Sequence, residues 1–129
     1  MNAHHGHLFA TAEGTSDIFE IDPSATPTIS TLMTVGAGPD GIAFSEDGSI
    51  LYAACTSEFV VKGYDVSTGA LVWTSPMVNS PPTRPDGIAI GLGSLSGYLY
   101  ANYNNETAAR CTGRCGSSAC PARTSETTT

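Results

Sequence analysis

This chain of 129 residues is poor in basic side chains: 5 Lys and Arg stand against 12 Asp and Glu, and only Lys62 and Arg84 precede residue 110. A phosphate backbone calls for a basic face, so a net charge of −7 excludes nucleic acid as an expected partner. An anionic membrane surface is excluded by the same repulsion. No run of 18 apolar residues exists, so no spanning helix is expected. The start Met-Asn-Ala-His-His-Gly-His has neither the charged nor the apolar region of a signal peptide. A soluble chain is the expectation, and a secreted or periplasmic parent protein is left open. Catalytic nucleophiles are also missing: all three His lie before residue 8, and no Ser sits on a Gly-x-Ser-x-Gly elbow. Good helix-forming stretches are few.

Turn formers are what the chain does have, with 14 Gly and 8 Pro beside 40% hydrophobic residues, and this balance predicts an all-β fold. The sequence also repeats. Pro39-Asp40-Gly41-Ile42-Ala43-Phe44 returns 46 residues later as Pro85-Asp86-Gly87-Ile88-Ala89-Ile90, five of six positions being identical. A second phrase occurs three times, as His7-Leu8-Phe9-Ala10, Ile50-Leu51-Tyr52-Ala53 and Tyr98-Leu99-Tyr100-Ala101, with its Leu residues 43 and 48 apart. A third, ending in Ile21-Asp22 and in Tyr64-Asp65, recurs after 43 residues. Phrases that keep one order at a period near 45 residues define a structural repeat.

Inside the one complete unit, segments rich in Val, Ile, Tyr, Phe and Thr predict strands near 41–45, 50–55, 59–66 and 70–75. Glu46-Asp47-Gly48 and Ser67-Thr68-Gly69 place Gly where a tight turn needs positive φ, so the strands can fold back as an antiparallel meander. Four strands per repeat of this length describe a β-propeller blade. The expected architecture is an incomplete β-propeller of about two and a quarter four-stranded blades. It would comprise a flexible segment 1–6, a partial blade 7–34 of three strands, a full blade 40–75 and a partial blade 86–103 of two strands. A closed propeller needs roughly four to eight blades, so edge strands are expected at both ends, open to self-association.

The pattern stops near residue 105. Residues 105–129 contain no Val, Ile, Leu, Met, Phe or Trp, and the charge inverts from −9 over residues 1–109 to +2 over 110–129. A disordered, non-native tail is expected there, with a change of reading frame or origin near Asn105.

The stretch from Pro39 to Ala54 resembles the blade phrase of the regucalcin/gluconolactonase (senescence-marker) propellers and of NHL-type and YVTN-type repeats. The resemblance covers about residues 7–103 and rests on the Pro-Asp-Gly opening, the Asp-Gly turn and the Leu-Tyr-Ala strand. Asp65-Val66-Ser67-Thr68-Gly69-Ala70-Leu71-Val72-Trp73 is similar to a quinoprotein-type phrase whose Trp docks one blade on the next. In a propeller the first strand of each blade lines the central channel, so Asp40 and Asp86, just before that strand, would share one rim. Paired carboxylates suit a hard cation. The gluconolactonase-like resemblance implies that Asp40 and Asp86 are metal ligands for Ca2+ or another divalent cation, with Glu13 nearest to that family's glutamate and its asparagine unmatched here. The simpler reading of both aspartates is a cap on the Pro-Asp-Gly turn.

Other signals reduce to ordinary explanations. Gly36-Ala37-Gly38-Pro39-Asp40-Gly41 has the spacing of a dinucleotide loop but leads into a strand, with no helix N-terminus for a phosphate. His4, His5 and His7 read as solvated, and Cys111, Cys115 and Cys120 lack zinc-ribbon spacing. Asn105-Glu106-Thr107 is a sequon of a kind frequent by chance. Cys55 reads as a small buried hydrophobe, and Phe9, Phe19, Phe44, Tyr52, Tyr64 and Trp73 as core. Two function classes follow: a non-catalytic module that binds a small molecule or protein at the rim, and part of a metal-dependent lactonase-like hydrolase.

Overall fold

The computed structural model of the chain describes residues 2–4, 6–12, 14–77 and 82–104. Among them lie ten strands and no α-helix: β1 (Asn2–His4), β2 (His7–Thr11), β3 (Asp17–Asp22), β4 (Thr28–Thr34), β5 (Pro39–Phe44), β6 (Ile50–Cys55), β7 (Val60–Asp65), β8 (Leu71–Thr74), β9 (Arg84–Ile90) and β10 (Leu99–Asn104). Single 3-10 turns occupy Thr56–Glu58 and Gly93–Leu95. No helix among the described residues is long and apolar enough to cross a membrane. The strands form three antiparallel sheets, in the orders β1-β2-β3-β4, β5-β6-β7-β8 and β9-β10. Every pairing joins strands adjacent in sequence, as a meander with short turns requires. The first sheet exceeds the three strands expected from residues 7–34, because Asn2–His4 pairs with His7–Thr11 across Gly6, whose φ is 81°.

Turn chemistry accounts for the meander. Between β5 and β6, the Asp47 carboxylate accepts from the Ser49 N–H at 2.9 Å and from the hydroxyls of Ser49 and Ser45, both at 2.7 Å. These donors, the Ser49 N–H foremost, hold the exposed Asp47 carboxyl down at about 2. Asp65 repeats the device between β7 and β8, where it accepts from Ser67 and Thr68. Gly48 and Gly69 supply the positive φ, at 74° and 72°.

The repeated Pro-Asp-Gly phrase folds into one repeated device, a β-bulge. Pro39 pairs with Cys55 and Ile42 with Ala53, so Asp40 and Gly41 together oppose Ala54 alone. Pro85 pairs with Tyr103 and Ile88 with Ala101, so Asp86 and Gly87 oppose Asn102 alone. An extra residue bends its strand and raises the local twist. Both aspartates therefore lie within their strands, one residue into β5 and two into β9, where a position just before the strand was expected; the bulge lets pairing begin at or before the proline.

The sheets stack face on face, and the Leu-aromatic-Ala phrase sets the order. In β6, Leu51 and Ala53 point back into a core with Phe9, Ile18 and Met33 of the first sheet. Tyr52, between them, points forward into a second core with Leu99, Ala101 and Tyr103 of the third sheet. Phe9 and Phe44 cross the first interface edge to face, ring centres 4.7 Å apart. Trp73 lies edge to face with Tyr52 at 5.9 Å and packs on the second core. Phe19, expected in the core, is half-buried: the pairing Ala10↔Phe19 sets it on the opposite face from Phe9. β5 packs along β9, while β1 and β2 touch β5, so the first strands of the three sheets lie side by side.

Candidate functional site

The side-by-side first strands bring the two bulges together. A Cβ placed on Gly41 would lie 2.5 Å from the Asp86 carbonyl oxygen and 2.8 Å from both the Gly87 Cα and the Ile88 nitrogen, so the two backbones touch with no room for a side chain. Asp40 and Asp86 occupy the same position of these adjacent bulges, Asp40 exposed and Asp86 half-buried. The Asp40 carbonyl accepts from the Thr11 hydroxyl at 2.9 Å, tying the first sheet to the same rim. The pair of aspartates is thus placed at one end of the stacked sheets.

Four residues that sequence reasoning did not single out as functional share that end. Lys62 pairs with Glu58, and the Glu58 carboxylate also accepts from the Ala37 N–H at 2.6 Å. The Lys62 contact holds Glu58 below its ordinary range, and the same contact raises Lys62. The Arg84 guanidinium sits 5.7 Å from the ring centre of Phe59. Phe59 has φ 61°, the left-handed region that a bulky residue rarely enters, and its N–H closes the 3-10 turn on Thr56. Of the two basic residues that precede residue 110, one is therefore ion-paired and one lies over an aromatic ring. The Glu-x-x-x-Lys spacing from 58 to 62 carried the only sequence signal, although the pair bridges a turn and a strand in place of a helix face.

Beneath this pair the loop before β5 is fastened to the end of β6. The Gly36 N–H donates to the Tyr64 phenol oxygen at 2.7 Å, and the Thr56 N–H and hydroxyl both donate to the Gly38 carbonyl, at 2.9 and 2.8 Å. A Cβ on Gly36 would lie 2.5 Å from Glu58 Oε1 and 2.8 Å from Cys55 Sγ. The stretch from Gly36 runs straight into β5. Cys55 is fully buried, and burial first, then the Glu58 charge, pushes its thiol up from 9.0 to about 11. The reactive thiolate is suppressed at neutral pH. With Cys111, Cys115 and Cys120 replaced by Ser, Ellman's reagent is expected to find no reactive thiol in the native protein and one in denaturant. Because the folded thiol ionises later than the unfolded one, its contribution to stability is intact below pH 9 and fades from there to about 11. Rapid native labelling would contradict the burial.

The donor set limits the chemistry. Ca2+ takes about six to eight oxygen ligands, and among the described residues no three of His, Cys, Asp and Glu come together. Asp40 and Asp86 alone do not compose such a shell. Glu13, His5, Cys111, Cys115, Cys120 and the Asn105 sequon lie outside the described residues, as does the expected tail 105–129. His7 donates through Nδ1–H to the Glu20 carboxylate at 2.7 Å and so has a local partner. The sequence matches no protein-family model and no curated protein.

Proposed function

We propose that this chain is a segment of a β-propeller and works as a binding module, without catalysis of its own, whose small-molecule or protein ligand meets the rim at Asp40 and Asp86. The single observation that carries this reading is the doubled bulge: one phrase and one register shift, repeated on neighbouring first strands that touch backbone to backbone at Gly41 and Asp86. A bulge re-aims side chains, and bulges are enriched beside functional sites. On the same strand as Asp86, Arg84 lies over the Phe59 ring and adds a positive and aromatic surface suited to a polar ligand with an apolar face.

The second reading, part of a divalent-cation-dependent lactonase-like hydrolase, draws on the same two carboxylates and on the gluconolactonase-like resemblance. In it a bound cation would polarise a lactone carbonyl. Calorimetric titration of the full chain with Ca2+ separates the two. The binding-module reading expects no saturable heat in the range of extracellular calcium modules, a Kd of about 0.1 to 1 mM or tighter. Saturable binding lost in Asp86→Asn would favour the hydrolase. The binding module itself is tested by amide chemical-shift mapping against a library of polar aromatic and saccharide fragments. Shifts gathered at Asp40, Gly41, Asp86 and Gly87 support it; shifts scattered elsewhere, or none, count against it.

A further inference from the structure

The turn that follows β6 touches both strands that carry a Pro-Asp-Gly bulge, β5 on one side and β9 on the other. Its hold on β5 is polar. Thr56 donates twice to the Gly38 carbonyl, from its N–H at 2.9 Å and its hydroxyl at 2.8 Å, and Glu58 Oε1 accepts from the Ala37 N–H at 2.6 Å. Lys62 of β7 pairs with the other oxygen of that carboxylate and so fixes its direction. This fit accounts for the small residues of Gly36-Ala37-Gly38. A Cβ on Gly36 would meet Glu58 Oε1 at 2.5 Å and Cys55 Sγ at 2.8 Å, and one on Gly38, whose φ is 65°, would meet Ser57 Oγ at 2.6 Å. The hold on β9 is of another kind. There the three residues before the repeated proline are Pro82-Thr83-Arg84, and the turn offers Phe59, whose ring centre lies 5.7 Å from the Arg84 guanidinium. Phe59 reaches it at φ 61°, and strain of this sort persists only where the surroundings fix it.

We propose that Thr56, Glu58 and Phe59 are positioning residues for the rim, and that their turn is a brace holding the two bulges in step. Both points of attachment are equivalent in the repeat, since Gly38 lies two residues before Asp40 and Arg84 two residues before Asp86. Glu58 and Phe59 are consecutive, so neither hold can shift without moving the other. The placement of Asp40 relative to Asp86 is then set by one short element, and a disturbance at either strand is passed to its neighbour. That role rests on the reading of the two aspartates as a binding rim, yet its test needs no ligand. A rim that binds nothing and a turn that couples nothing are therefore separate results.

Amide chemical shifts of the full chain test the brace in both directions. Glu58→Gln removes the charge that Lys62 fixes; it should move the amides of Ala37 and Gly38 and, across the brace, those of Asp86 and Gly87, while Gly48 and Gly69 stay in place. Arg84→Met removes the cation from the Phe59 ring and should move Asp86 and, across the brace, Gly38 and Asp40. Arg84→Lys, which keeps a cation there, should return Gly38 and Asp40 to their wild-type shifts. Cys55, fully buried beneath Gly36, gives a second readout. With Cys111, Cys115 and Cys120 replaced by Ser, Glu58→Gln should speed labelling of Cys55 by about tenfold or more, as loss of a charge-assisted hydrogen bond implies. The faster labelling should vary little with urea, the mark of a local opening, and Lys62→Arg, which keeps the ion pair, should label as slowly as the parent. Shifts confined to residues 35–38 in Glu58→Gln and to β9 in Arg84→Met overturn the brace. So does unchanged labelling, or labelling as steep in urea as global unfolding. If far-UV circular dichroism finds Glu58→Gln unfolded, the Arg84 variants, at an exposed position, decide the question alone.

Discussion

Leu51→Ala is expected to lose about 2.7 to 5 kcal/mol of stability, the range for emptying a fully buried leucine site. Leu51 is completely inaccessible and lies where the rear of β6 meets Phe9, Ile18 and Met33 across the first interface. Part of the cost is transfer of the side chain to water, part the cavity left between sheets whose spacing is fixed by their neighbours. Domains of this size hold about 5 to 15 kcal/mol in all, so the variant should melt far below the wild type or be largely unfolded in urea solutions that leave the parent native. Leu71→Ala is the control: Leu71 is 51% exposed on the last strand of the same sheet and should change stability by no more than about 0.5 kcal/mol. Equal effects of the two substitutions would mean that the first two sheets do not share a core.

The second large effect concerns backbone proximity. Gly41→Ala puts a methyl 2.5 Å from the Asp86 carbonyl oxygen, and all three of the nearest atoms belong to backbone that cannot rotate aside. Overpacking of this kind costs about 1 to 3 kcal/mol, at times more. A domain this small loses roughly 4 to 8 °C of melting temperature per kcal/mol. Gly87→Ala is the instructive comparison, since its methyl would meet the Asn102 amide oxygen at 2.7 Å, the far end of a side chain that can turn away. Its melting temperature should fall by less than half as much. If Gly41→Ala melts like the wild type, the two Pro-Asp-Gly bulges are not in contact, and the rim reading falls with them.

The sheets were legible in the sequence because each strand is announced by its own chemistry. The turn glycines at 48 and 69, the β-rich segments and the recurring phrases locate β5 to β8 to within about two residues. What escaped was whatever depends on packing. The phrase Pro-Asp-Gly marks a turn as readily as a bulge, and only the pairing of Pro39 with Cys55 and Ile42 with Ala53 distinguishes them. Asn2–His4 has no β-rich composition and is held as a strand by its neighbour alone. The direction in which Phe19 faces depends on register, which a single strand does not declare. Arg84 meets Phe59 only because the turn after β6 stands beside the start of β9.

The adjacency of every paired strand also governs how this protein comes apart. Because no pairing among the described residues spans distant parts of the chain, each sheet can form from its own segment before the others exist, and little loop entropy opposes it. Cohesion between sheets then resembles that of a linear array, in which each member is stabilised by its neighbours. The middle sheet has a neighbour on both sides; β9 and β10 have two strands and one covered face. Opening should therefore spread inward from the third sheet, its amides exchanging with solvent well before those of β6 and β7, so that unfolding proceeds in steps and not as a single cooperative event.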